Sequence, residues 1–453
     1  MTNPKRLILL PIVVLAFAPC ATARAQTHPS VPAFSSLPGA PYTVYLDFGG
    51  FTFNGVWGNE GLSPGTTPAY HTNGNANSFS ASELANIQNV WSRVAEKYSP
   101  FDVNVTTVDP AVAAGQAAND TQRQNYYDDQ PAMMHTVIGG DGAWDGSRGG
   151  GHTAGVGITA SAQPGTTGYH TDWVYSAITS TSSTNLHFIG DAAAHENGHG
   201  LGLSHQSDYN GNTLVNEYSP GVNSGPVPQA PIMGYSYTAQ RSLWKIGTAD
   251  TNNGLGPPSA PVVQNDPSVI LSNPNMGNFI NDGVGHTLAS ATPLPLTRGS
   301  INSSLAKGII VPASSTNPTT SGEANYVADF WSFTASGGSV SITSHAGRST
   351  ITPGVADPGA TLDSTLRIFN ATGGVVATSA TSSLDETLSL ILSPGNYYAE
   401  VASAGDPNNT GFYDMGSYFL TGSLVAVPEP STFALLAMGL LALGWARRRR
   451  RRV

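Results

Sequence analysis

Residues 191–205 read DAAAHENGHGLGLSH and hold three histidines and one glutamate in a chain where only 11% of residues are charged. His195 and His199 are four apart, so on a helix their side chains share one face. Two imidazoles at that spacing can bind one Zn2+. Glu196 lies beside His195, within reach of a water on such an ion. Zinc lowers the pKa of that water to about 7, and a carboxylate can then take its proton. Gly202 lies three residues past His199, and His205 three further on. A straight helix would carry His205 away from the metal, but glycine can adopt positive φ and turn the chain back. Three protein ligands leave a fourth position for water, which marks a catalytic site rather than a closed structural one. One catalytic Zn2+ is therefore expected on His195, His199 and His205, with Glu196 as general base.

The complete run from His195 to His205 resembles the motif of the metzincin zinc endopeptidases. The resemblance implies an α+β zincin (metzincin) catalytic domain and a tight turn with methionine beneath the metal. Residues 231–235, Pro-Ile-Met-Gly-Tyr, fit that turn. By the resemblance Met233 is a hydrophobic floor and not a ligand. Tyr235 stands where some members use a tyrosine to stabilise the oxyanion; the other reading is a packed aromatic. Residues 44–50 (VYLDFGG) and 90–110 (VWSRVAEKYSPFDVNVTTVDP) are similar to bacterial reprolysin-like secreted metallopeptidases. Gln206 follows His205 where reprolysins carry an acid, which leaves the subfamily open. Residues 155–160 read as an exposed edge strand that accepts an extended peptide by backbone pairing, with Gly155, Val156 and Gly157 against the substrate. His135, His152, His170 and His187 read as hydrogen-bonded or surface residues, and Asp191 as the cap of the active-site helix.

The elements that must position these residues are legible in part. At 453 residues the chain is too long for one ordinary core, so two folded domains are expected. The 51 Gly and 32 Pro favour loop-rich and β-rich architecture. Residues 43–48 read as a strand. Ser80 and Glu83 have capping-box spacing, and Leu84, Ile87, Val90, Trp91, Val94 and Tyr98 recur at helical intervals until Pro100. Strands follow around Val103 and Val105 and over 133–138. The expected organisation is a linker at 26–40, the zinc peptidase domain at 41–250, a linker at 251–281 and an all-β sandwich at 282–425. The sandwich resembles the bacterial pre-peptidase C-terminal domain, on residues 286–292, 329–333, 362–366 and 394–398. It shows no catalytic set. Asp329 and Asp363 read as turn or strand-end residues, so Ca2+ is not indicated.

Both ends are processing segments. Residues 1–25 have Lys5 and Arg6, an apolar run and Ala23-Arg24-Ala25, the layout of a secretory signal peptide. At 426–453, Val427-Pro428-Glu429-Pro430, an apolar run over 433–446 and six arginines resemble the PEP-CTERM sorting signal of Gram-negative bacteria. The run is short for a transmembrane span, and the arginines would stay cytoplasmic. The resemblance implies transient membrane anchoring, cleavage by a sorting transpeptidase or protease, and delivery to the cell surface or extracellular matrix. Three of the 19 Lys and Arg precede residue 26 and six lie in the tail, leaving 10 against 29 acidic residues, a formal −19 over 26–430. That excludes nucleic acid as a natural partner. The lone Cys20 lies in the signal, so the mature chain has no disulfide. The reading is a secreted or surface-delivered zinc metalloendopeptidase acting on protein or peptide substrates. The rival is a non-catalytic matrix or adhesion protein with a structural or vestigial zinc site.

Overall fold

The computed structural model describes residues 28–58, 61–146, 149–160, 169–177, 185–222, 227–253, 257–316, 318–347, 359–406, 408–426, 438–443 and 445. The segment expected as a signal peptide and most of the C-terminal tail lie outside the described residues. Among the described residues no helix is long and apolar enough to cross a membrane.

The N-terminal region is mixed α/β. Strand β1 (Tyr42–Asp47) is buried on both faces, as strands of parallel sheets are. Helix α1 (Ala81–Lys97) begins on Ser80, whose hydroxyl accepts from the Glu83 amide while the Glu83 carboxylate accepts from the Ser80 amide. This is the capping box that the sequence predicts, and Ile87, Val90, Trp91 and Val94 face the core. Strands β2 (Val103–Thr106), β3 (Met133–Ile138), β4 (Gly151–His152) and β5 (Thr171–Val174) complete a sheet of order β2-β1-β3-β5-β4. Four strands run parallel, and β4 alone runs antiparallel, at the edge beside β5.

Helix α2 (Leu186–Gly200) carries His195, Glu196 and His199. It is capped by Asn185, whose side chain accepts from the Phe188 amide. Its centre is built of small residues, and Ala192, Ala193 and Ala194 are wholly buried. A Cβ on Gly198 would lie 2.5 Å from the Met233 sulfur, so glycine permits the close approach of that side chain.

Three expectations are corrected here. Asp191 is not the helix cap; it sits inside α2, where Lys97 Nζ is 2.8 Å from its Oδ1. A carboxylate buried this far from a helix end needs a cation rather than backbone amides. No strand forms over 155–160: Gly155 and Gly157 take φ of 159° and 75°, and Ile158–Ala160 is a 3-10 turn. The edge strand is instead β4. The stretches expected as linkers are largely folded. Residues 34–36 hydrogen-bond along β2, and Phe34 stacks on Trp91 at 5.0 Å. Further on, strands β6 (His205–Gln206), β7 (Ile246–Asp250) and β8 (Val262–Asn265) form a three-stranded sheet, and α3 (Asp266–Ser272) follows.

The C-terminal region is sheet-rich. Its five-stranded sheet centres on Asp329–Ala335, Gly395–Ser403 and Ser364–Asn370, and a six-stranded sheet on Gly416–Ala426, Gly338–Ala346 and Glu386–Leu392. Alternate residues such as Val340, Ile342, Leu366, Ile368 and Val401 meet in the core, the period-2 burial of facing sheets. This region packs directly on the first. The buried Glu96 carboxylate accepts from the Ser417 amide and the Thr361 hydroxyl. Arg241 donates to Asp414 at 2.7 Å and to the carbonyls of Ala360 and Thr361.

Candidate metal centre

The end of α2 decides where the third histidine goes. The Gly202 amide bonds to the His199 carbonyl and the Leu203 amide to the Gly198 carbonyl, the paired bonds of a Schellman reversal. Gly202 has φ of 109°, which a side-chain-bearing residue rarely adopts. The chain therefore doubles back, and β6 delivers His205 to the face that His195 and His199 share.

The three imidazoles converge. The Nε2 atom of His199 lies 3.1 Å from that of His195 and 3.2 Å from that of His205, and the three candidate ligand atoms lie within 4.8 Å of one another. Each Nδ1 is occupied elsewhere. His195 donates to the Ile232 carbonyl at 2.8 Å, His199 to the Leu203 carbonyl at 2.7 Å, and His205 to Glu217 Oε1 at 2.5 Å. An acceptor at Nδ1 fixes the tautomer with its lone pair on Nε2. Three lone pairs then point at one spot, where they repel unless a cation joins them. Ligands at zinc–nitrogen bond lengths and a tetrahedral angle stand about 3.3 Å apart, so the donor set fits that ion. Burial keeps the His195 and His199 rings neutral, the form a metal needs. It pushes His195 down to about 3, with His205 adding to the effect, and drives His199 well below the ordinary range. This is the one group of three or more such side chains among the described residues that could hold a metal ion.

Glu196 is 6% exposed. Burial, with Asp172 and Asp145 nearby, raises its carboxyl well above the usual range. It lies against the edge strand: a Cβ on Gly151 would sit 2.7 Å from its Cγ and Oε1. Met233 is fully buried beneath α2, and its carbonyl accepts from the Gln206 amide. Gln206 bonds to the buried Asp266 at 2.8 Å, so an acid is supplied there from α3 rather than from the residue after His205.

Tyr235 is 45% exposed, and its ring meets Tyr237 at 5.3 Å. A different tyrosine lies on the histidines. The Tyr218 ring is 4.3 Å from that of His205 and 6.0 Å from that of His195. Burial, with Glu196 and Glu217, pushes its phenol up to about 12. Glu217 and Tyr218 carry no motif in the sequence; the fold alone brings them to the site. The other histidines have structural partners: His135 with Asp47, His152 with Asp145, His170 with the Met133 carbonyl and His187 with Asp191. A cavity of about 340 Å³ lies elsewhere, between the two regions beside Ser99, Phe101 and Tyr418.

Comparison with known proteins finds two partial likenesses. Among solved structures, the pre-peptidase C-terminal domain of a collagenase from Bacillus anthracis is similar at 16% identity, over 29% of this chain and 93% of that one, with a TM-score of 0.18. No curated protein matches the chain. Residues 426–451 match the PEP-CTERM protein-sorting motif, which implies export to the cell surface of a Gram-negative bacterium and processing by an exosortase.

Proposed function

We propose that the chain is a metzincin-type zinc metalloendopeptidase working at the cell surface. The observation that carries the reading is the convergence of three Nε2 lone pairs, each fixed by an acceptor at Nδ1, with Glu196 on the same helix. A structural or vestigial site has no use for that carboxylate. The sheet of four parallel strands with an antiparallel edge strand, and Met233 beneath the helix, support the same reading.

Zn2+ held by His195, His199 and His205 would supply Lewis acidity, acidifying water and polarising the scissile carbonyl. Glu196 takes the proton from the attacking water and passes it to the leaving amine. Its burial strengthens its hold on that proton between the two transfers. The substrate runs extended along β4, the strand beside Glu196, with backbone pairing as the source of alignment.

The test compares the full chain with Glu196→Ala on unfolded casein, with zinc quantified in both. Cleavage by the first alone, at equal zinc content, supports the peptidase. Zinc in both with cleavage of neither casein nor a peptide library favours the non-catalytic matrix protein.

A further inference from the structure

Two tyrosines compete for the role of hydrogen-bond donor to the reacting carbonyl. Tyr235 follows Met233 by two residues, yet its ring partner among the described residues is Tyr237. Tyr218 comes from the segment after the hairpin of Asp208–Asn210 and Thr213–Asn216. It lies over two of the three histidine rings, tilted by 42° to His205 and 37° to His195.

The backbone around Tyr218 is locked to the ligand strand. The Ser219 amide donates to the Gln206 carbonyl at 2.8 Å. The Ser207 hydroxyl donates to the Glu217 carbonyl at 2.6 Å. The Glu217 carboxylate accepts from His205 itself. Residues on both sides of Tyr218 are thus bonded to residues 205–207, so the backbone that carries the phenol is fixed relative to His205. Such fixed placement is what a donor needs if it is to act without reorganisation cost. Tyr218 is also 44% exposed. Its ring is held against the histidines while part of it stays open to an incoming peptide.

We propose that Tyr218, and not Tyr235, is the catalytic phenol of this site, donating its hydroxyl hydrogen to the carbonyl oxygen as negative charge develops there. The assignment rests on the peptidase reading above. No bond to Tyr218 forms or breaks; its proton stays on the phenol throughout.

The experiment uses the zinc-loaded full chain, Tyr218→Phe and Tyr235→Phe. Both substitutions keep the ring, so packing on the histidines is retained. Zinc content, kcat and KM are measured on one peptide substrate, with the affinity for a phosphinic peptide that mimics the tetrahedral intermediate. Tyr218→Phe is expected to lose about 10²-fold in kcat, with KM and zinc content little changed. Its phosphinic-peptide affinity falls in parallel, and each loss exceeds that of Tyr235→Phe. A larger loss in Tyr235→Phe, or a Tyr218→Phe that keeps both kcat and phosphinic-peptide affinity, overturns the assignment while leaving the peptidase standing. An unsubstituted zinc-loaded chain that neither cleaves peptides nor binds the phosphinic peptide overturns both.

Discussion

His205 donates its Nδ1 hydrogen to Glu217 Oε1 across 2.5 Å, twelve residues along the chain. The His195 and His199 rings are oriented by backbone carbonyls. His205 alone of the three depends on a replaceable side chain. Glu217→Ala is expected to weaken zinc affinity about 10–100-fold, measured by competition with a chromogenic chelator. An unchanged affinity would remove Glu217 from the orienting role.

Gly151 holds the edge strand close to Glu196. A methyl group there would come within 2.7 Å of the Glu196 carboxylate and 2.6 Å of the Trp173 carbonyl, so one or both must shift. Gly151→Ala is expected to keep its zinc and lose about 10²-fold in kcat/KM, the scale of loss for a 1 Å misplacement. Full activity in that variant would show that Glu196 has freedom the packing denies it.

Asp172 is fully buried on β5, and burial pushes its carboxyl well above the usual range, the Thr136 hydroxyl opposing weakly. A carboxyl raised in the folded state binds more protons folded than unfolded, so its contribution to stability declines as pH rises above about 4. Asp172→Asn removes that term. The variant should therefore gain stability relative to the parent as pH is raised from 5 to 8, read from thermal melts. Parallel melting curves across that interval would refute the buried neutral acid.

Asp191 has the opposite sign. Burial alone would raise its carboxyl, but Lys97 and His187 hold it below the ordinary range. A depressed carboxylate stabilises the fold above about pH 4 and loses that contribution as pH falls through the folded value. Lys97→Met strands the charge, at a cost of about 3–5 kcal/mol at pH 7. Denaturant titrations should show the cost shrinking in acid, where Asp191 takes a proton. An equal cost at pH 4 and pH 7 would contradict the ion-pair account.

The three-histidine cluster was legible because its pattern is local: a four-residue spacing, a glycine and a return. Helix α1 was legible for the same reason, since Ser80 and Glu83 state its start. The strands of the C-terminal region announced themselves by alternation. Residues 155–160 misled because their apolar positions have strand spacing, while Gly157 takes a φ of 75° and Ile158–Ala160 winds into a 3-10 turn. Asp191 misled because caps and buried ion pairs both use aspartate, and only tertiary packing brings Lys97 to it. Glu217 and Tyr218 were beyond reach: the bonds that set them beside His205 cross between segments that nothing in their spacing relates.

Glu96 and Lys97 are consecutive, yet they serve different neighbours. Glu96 accepts hydrogen bonds from Ser417 and Thr361 of the C-terminal region, and Lys97 neutralises Asp191 on the helix of His195 and His199. One turn of α1 is thus a shared rivet. Removal of the C-terminal region would take away the Ser417 and Thr361 donors to Glu96, one residue from the cation that pairs with Asp191.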